Sequence, residues 1–172
     1  HEGLAYVFED IEDLKANIDR PDLPVTKDSI LVLKGCGPKG YPGMPEVGNI
    51  PIPKVLIEQG VRDMIRISDA RMSGTAFGTI VLHVSPEANI GGPISIVETG
   101  DSIRLDAING VLELLVSESE IERRTKERKQ PKENYTRGYA KLYIDHVMQA
   151  DKGADLDFLV GKDTRLPTRE SH

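Results

Sequence analysis

Apolar positions along this chain come in short runs rather than long periodic stretches. Leu4 to Phe8 reads as a strand. Ile11, Leu14 and Ile18 then recur at helical spacing, which predicts a helix closed by Pro21 and Pro24. Ser29 to Lys34 is a largely apolar run bounded by turn residues and predicts a buried strand. Pro53 suits the first turn of a short helix, KVLIEQG, that Gly60 stops. Val61 to Ser68 and TIVLHV at 79–84 predict two more strands, and ISIV, SIRLD and VLELLV three others. Asn109-Gly110 between the last two signals a hairpin. From Ser117 the pattern changes. SESEIERRTKERK opens on a Ser-x-x-Glu capping box and predicts a solvent-facing charged helix. A second helix, 134–150, gathers Tyr139, Leu142, Tyr143, Val147 and Met148 on one side, the pattern of core packing. About seven short strands with few helices between them predict a β-rich α/β fold: a barrel-like mixed sheet flanked by helices, not an alternating doubly wound one. Residues 1–160 make one domain in this reading, and 161–172 a loose polar tail.

Composition narrows the class. The chain has 172 residues, enough for one domain with a sizeable core. A net charge of −6 argues against a nucleic-acid partner. No apolar run approaches the roughly 20 residues that span a bilayer, and no signal peptide opens the chain, so the expected location is the cytoplasm, away from membranes. The single cysteine, Cys36, permits no internal disulfide and cannot alone hold an iron–sulfur cluster or a structural zinc. The sequence starts at His1 and enters a strand at once, which reads as part of a longer polypeptide.

Two irregular segments stand apart. GCGPKGYPGMPEVGN, Gly35 to Asn49, holds five glycines and three prolines around one acid, Glu46. SDARMSGTAFGT spans Ser68 to Thr79. Each follows a strand, so both can converge at one end of the sheet. Glu46 is a hard oxygen ligand or a base, and Lys39 a point charge suited to a carboxylate or phosphate. Asp69 and Arg71 suit a structural ion pair, Ser73-Gly74-Thr75 offers a hydroxyl on permissive backbone, and the glycine-rich amides suit an anion. Simpler readings stand beside these: Lys39 as a solvated loop lysine, and Ser73 as an ordinary turn residue. Cys36 reads as a small buried hydrophobe, and His83 and His146 as structural histidines. There is no Ser-His-Asp order, Walker motif or G-x-G-x-x-G.

Together, GCGPKGYPGMPEVGN and RISDARMSGTAFGTIVLHVSPEA resemble the C-terminal domain of the dihydroxy-acid and sugar-acid dehydratase family, which includes phosphogluconate dehydratase. The likeness runs from VFED at Val7 to GADLDFLVG near the end. Tyr41 and DARMSGT look like the branch acting on arabinonate or xylonate. Dihydroxy-acid dehydratases proper usually carry GPKGGPGMPE and a GRFSGG-type second loop, and phosphogluconate dehydratases depart from PKGYPGMPE.

The resemblance implies a swivelling β/β/α domain like the small domain of aconitase, and loss of water from a 2,3-dihydroxy acid to give a 2-keto-3-deoxy acid. Magnesium and an iron–sulfur cluster are the implied cofactors. Glu46 matches the family's magnesium ligand and Ser73 the serine base, with Gly74 and Thr75 as donors that stabilise its alkoxide. Lys39, Arg71 and Thr75 are candidates for holding the substrate. The cluster cysteines and the other magnesium ligands belong to an N-terminal domain, so that domain, a small sugar acid or dihydroxy acid, and further copies of the enzyme are the expected partners. Alone, these residues are expected not to catalyse. The competing readings are a stand-alone barrel that binds a small acid or a partner subunit without chemistry, and a purely structural oligomerisation domain.

Overall fold

A computed structural model describes residues 1–131 and 135–161. Its core is a mixed sheet of six strands: β1 (Glu2–Phe8), β2 (Ile30–Leu33), β3 (Ile65–Ser68), β4 (Ile80–Val81), β5 (Ser102–Asp106) and β6 (Val111–Leu114), in the order β4-β3-β2-β1-β5-β6. The β1–β2, β2–β3 and β3–β4 pairs are parallel, while β1–β5 and β5–β6 are antiparallel. The sheet curls as a half-barrel with β4 and β6 at its edges.

The parallel half has both faces covered, which is why β2 is an apolar run instead of an alternation of apolar and polar residues. Leu31 and Leu33 of β2 face a cluster with Phe8, Leu14, Ile50 and Leu56. Leu14 and Leu56 come from two short helices, α1 (Ile11–Asn17) and α2 (Lys54–Glu58). The Asp10 side chain caps α1 by accepting from the amide of Asp13 at 2.8 Å. Ile30 and Val32 face the other cluster, with Ile67, Ala88, Ile94 and Ile103. All four β2 side chains are fully buried, each contributing roughly 1.5–3 kcal/mol of burial.

Six strands form among the described residues, and ISIV is not one of them. Pro93–Ile96 is a 3-10 turn that lays Ile94 and Ile96 into the core. Proline is suited to the first position of such a turn, and apolar character without strict alternation left strand and turn undistinguished. The charged helix forms as α3 (Glu118–Glu127) with no buried residue. Half of its capping box is made: Ser117 Oγ accepts from the amide of Glu120, while the Glu120 carboxylate turns to Arg123 and Arg124. The last helix, α4, is shorter than expected, Gly138–His146, and its stripe is not core. Of the five stripe residues only Val147 is buried; Tyr139 is 89% and Leu142 45% exposed. The expected start at Asn134, and the expected tail beyond Gly161, lie outside the described residues. No helix among the described residues is long and apolar enough to cross a membrane.

Candidate functional site

Parallel neighbours end at the same rim, so the chains leaving β2 and β3 enter their loops side by side. Two backbone bonds clasp those loops. The amide of Val47 donates to the Arg71 carbonyl at 2.9 Å, and the amide of Ser73 to the Gly48 carbonyl at 2.7 Å. Glu46 is thereby held one residue from the clasp on one loop, and Ser73 forms part of it on the other. Glu46 is solvent-accessible, and its Oε2 lies 3.6 Å from an Arg71 Nη. Arg71 thus pairs with Glu46 and not with Asp69, as the sequence reading had it.

Ser73 Oγ lies 2.9 Å from Thr75 Oγ1 and accepts from the Thr75 amide at 3.3 Å. The hydroxyl is oriented from its own turn, and a backbone donor already points at the oxygen. His83, read as structural, has φ of 56°, left-handed for a non-glycine residue. Burial first and the Arg71 charge second lower its pKa.

Asp69 does different work from that expected. It is fully buried and accepts from the amides of Cys36 and Ala88, both at 2.9 Å, and of Gly35 at 3.3 Å. Burial, with Glu87 nearby, raises its pKa to about 6. Glu87 is also fully buried. Its two oxygens take the Lys39 amide at 2.9 and 3.0 Å and the Gly40 amide at 2.8 Å, and the Gln149 side chain donates to it at 2.7 Å. The glycine-rich amides read as an anion site are therefore occupied by the protein's own carboxylates. Glycine at 37 is required by the same contact, since a Cβ there would come within 2.6 Å of Glu87. Lys39 is half-buried and, among the described residues, its ammonium has no carboxylate partner.

Sequence reasoning missed Glu87 and Gln149. The acid lies in SPEA, outside both unusual loops, and the amide on the segment after α4, so neither is adjacent in sequence to what it holds. An isolated acid between a proline and an alanine was the available signal.

The donor set bears on cofactors. Glu46 presents an accessible carboxylate, a donor of the kind that suits a magnesium ion whose other ligands come from elsewhere. Among the described residues, no three histidine, cysteine or acidic side chains gather as a cage. Cys36 does not fit a cluster: it is 1% exposed, its Sγ faces the Lys34 carbonyl at 3.5 Å, and burial pushes the thiol up to about 12. A hollow of about 950 Å³ lies at the opposite rim, between the starts of β1 and β3 and the end of β5.

Residues 1–154 match the family model for the dihydroxy-acid/6-phosphogluconate dehydratase C-terminal region. The chain is 71% identical along its whole length to the dehydratase named IlvD1 of Rhizobium meliloti (strain 1021), covering 30% of that protein. It is 52% identical, again along its whole length, to the L-arabinonate dehydratase of Rhizobium leguminosarum bv. trifolii (strain WSM2304), covering 30% of it. Over 90% of the chain it is 39% identical to the dihydroxy-acid dehydratase of Chromohalobacter salexigens, covering 27% of it. The chain spans under a third of the length of these relatives, and it belongs to the dihydroxy-acid/6-phosphogluconate dehydratase family as that family's C-terminal region.

Proposed function

We propose that the enzyme carrying this domain removes water from a sugar acid with hydroxyls at C2 and C3, yielding a 2-keto-3-deoxy acid, and that this domain supplies the base and one metal ligand. The observation that carries the reading is the clasp between the Glu46 and Ser73 loops, which sets an accessible carboxylate and an oriented hydroxyl at one rim. Greater identity to an arabinonate dehydratase than to a dihydroxy-acid dehydratase supports a sugar acid as substrate.

In this mechanism the Ser73 alkoxide takes the C2 proton, and the C2–C3 double bond forms as the C3–O bond breaks. The departing hydroxide leaves as water with a proton returned from Ser73, which restores the alkoxide. The enol left behind tautomerises to the ketone, so the net change is loss of one water. A serine hydroxyl is far too weak an acid to ionise unaided at neutral pH, so its alkoxide needs donors and a nearby positive charge. The Thr75 amide and hydroxyl are the donors on this chain. A divalent cation held by Glu46 supplies charge neutralisation for the substrate carboxylate and the enolate when bound. Lys39 and Arg71 are the cations available to orient the acid. The remaining metal ligands and any cluster come from the rest of the polypeptide, because Cys36 is sealed away.

The test is made in the full-length enzyme against a panel of aldonic acids and dihydroxyisovalerate. Ser73→Ala and Glu46→Gln are each expected to lower turnover roughly 100-fold. Ser73→Ala should also stop exchange of the C2 hydrogen with solvent deuterium. Wild-type turnover in both variants would discard the mechanism.

A further inference from the structure

Arg66 is a charge in the middle of β3, flanked by Ile65 and Ile67, and it is 2% exposed. Register places it beside Leu31 of β2, and Ser68 beside Leu33, so both polar residues point to the face where α1, α2 and the two loops pack. An alternating pattern on an edge strand would send such residues to water. Here β3 lies between β2 and β4, and the face is covered.

Burying a guanidinium is costly unless its donors are satisfied. Arg66 satisfies them almost entirely with backbone and amide oxygens. One Nη donates to Asn49 Oδ1 at 3.2 Å and to the Ile50 carbonyl at 3.1 Å. The other donates to the Phe77 carbonyl and, at 3.3 Å, to Asp63 Oδ1. Nε donates to the Met64 carbonyl at 3.2 Å. Asp63, its one acidic partner, is itself turned to Thr79, accepting from that amide and hydroxyl. Gly78 leaves the room this needs: its φ is 99°, and a Cβ there would collide with Asp63 and Arg66 Nη2.

The anchor points have a pattern. Ile50 lies four residues after Glu46, and Phe77 four residues after Ser73. One rigid fork therefore grips the returning limb of each loop, a few residues beyond the clasp that joins them. Lys39 sits on a different limb, fixed by Glu87.

We infer that Arg66 is a positioning residue for the reaction: it sets the separation of the Glu46 carboxylate and the Ser73 hydroxyl by holding both loops on one guanidinium. This rests on the function proposed above. The division of anchors gives the inference its signature. Loosening Arg66 should displace base and metal ligand, and with them Arg71 and Thr75 on the second loop, while leaving Lys39 in place, so kcat falls by more than KM rises. A lysine at 66 retains the charge but cannot reach the same set of acceptors.

The experiment uses the full-length enzyme and two variants, Arg66→Lys and Asn49→Ala. Arg66→Lys is expected to lower kcat about 10- to 100-fold with a smaller rise in KM, because displacement of about 1 Å can cost on the order of 100-fold. Asn49→Ala, which removes one solvent-side contact, is expected to cost about threefold. The double variant should lose no more than Arg66→Lys alone, since Asn49 acts through Arg66. Hydrogen exchange, read without turnover, should quicken at residues 46–50 and 73–78 and stay unchanged in β1 and β2.

Unchanged exchange in those two loops, or losses that multiply in the double variant, would overturn the inference. Should Arg66→Lys fail to fold, Asn49→Ala decides by the same exchange readout. If Ser73→Ala and Glu46→Gln are inactive while both positioning variants turn over like wild type, Arg66 is not a positioning residue and the dehydratase reading stands. If Ser73→Ala and Glu46→Gln keep wild-type turnover, that reading fails, and the exchange data alone report whether Arg66 holds the loops.

Discussion

β2, at the centre of the parallel half, buries all four of its side chains, whereas β6, at the antiparallel edge, exposes three and half-buries the fourth. The difference extends to what each half carries. The parallel strands deliver the Glu46 and Ser73 loops, and polar groups beneath those loops, Asp69, Glu87 and Arg66, are fully or almost fully buried and hydrogen-bonded. The antiparallel hairpin and α3 are laced with ion pairs near solvent, such as Arg104 with Glu2 and Glu113, and Arg123 with Glu120. Buried polar groups hold a geometry at high cost if broken; exposed pairs hold little. The half that carries the two loops is the more firmly held.

The largest test of that contrast is Leu31→Ala against Leu112→Ala. Deleting a fully buried leucine should cost about 3 kcal/mol, and the partly exposed one under about 1 kcal/mol, read from urea midpoints of the full-length protein. Equal shifts would erase the distinction between the halves.

Arg124 is the exception on the polar side and sharpens the rule. It is nearly buried, pairs with Asp101 through two hydrogen bonds, and donates to the Ile96 carbonyl at 3.0 Å. Arg124→Ala should cost about 2 kcal/mol by leaving Asp101 buried without its cation.

Asp69→Asn sets an amide against three backbone N–H groups and should cost about 1–2 kcal/mol. Its pH dependence carries a sign. The folded pKa, about 6, stands above the ordinary 3.8, so the folded chain holds this proton more tightly than the unfolded chain. That contribution to stability is full below about 3.8 and is lost as pH rises through about 6. The advantage of wild type over Asp69→Asn should therefore be larger at pH 4.5 than at pH 7.5; the reverse trend would mean that the fold prefers the carboxylate. The smallest effect is expected at Arg123→Ala, whose exposed pairs should leave the urea midpoint unmoved.

Much of this architecture could be read from residue patterns, and the failures have physical causes. The run at 30–33 announced a buried strand because burial on both faces demands apolar side chains, and Asn109-Gly110 marked its turn through the positive φ that Gly110 adopts. The Gly35–Asn49 and Ser68–Thr79 segments were legible as convergent loops because irregular backbone needs glycine and proline. The supports of those loops were not legible. Arg66 looks like a solvent-facing strand residue until β4 covers its edge, and Glu87 reaches Lys39 across 48 positions. The α4 stripe misled because helical periodicity reports an apolar side without saying what lies against it.

The carboxylates under Gly35–Gly40 have one more consequence. Asp69 and Glu87 act as built-in tenants of the hollow that the loop amides form, so this stretch is set in shape when the chain folds. If the acid of the proposed reaction binds beside this stretch, it meets a finished wall, and its affinity is not diminished by the entropy of arranging that wall.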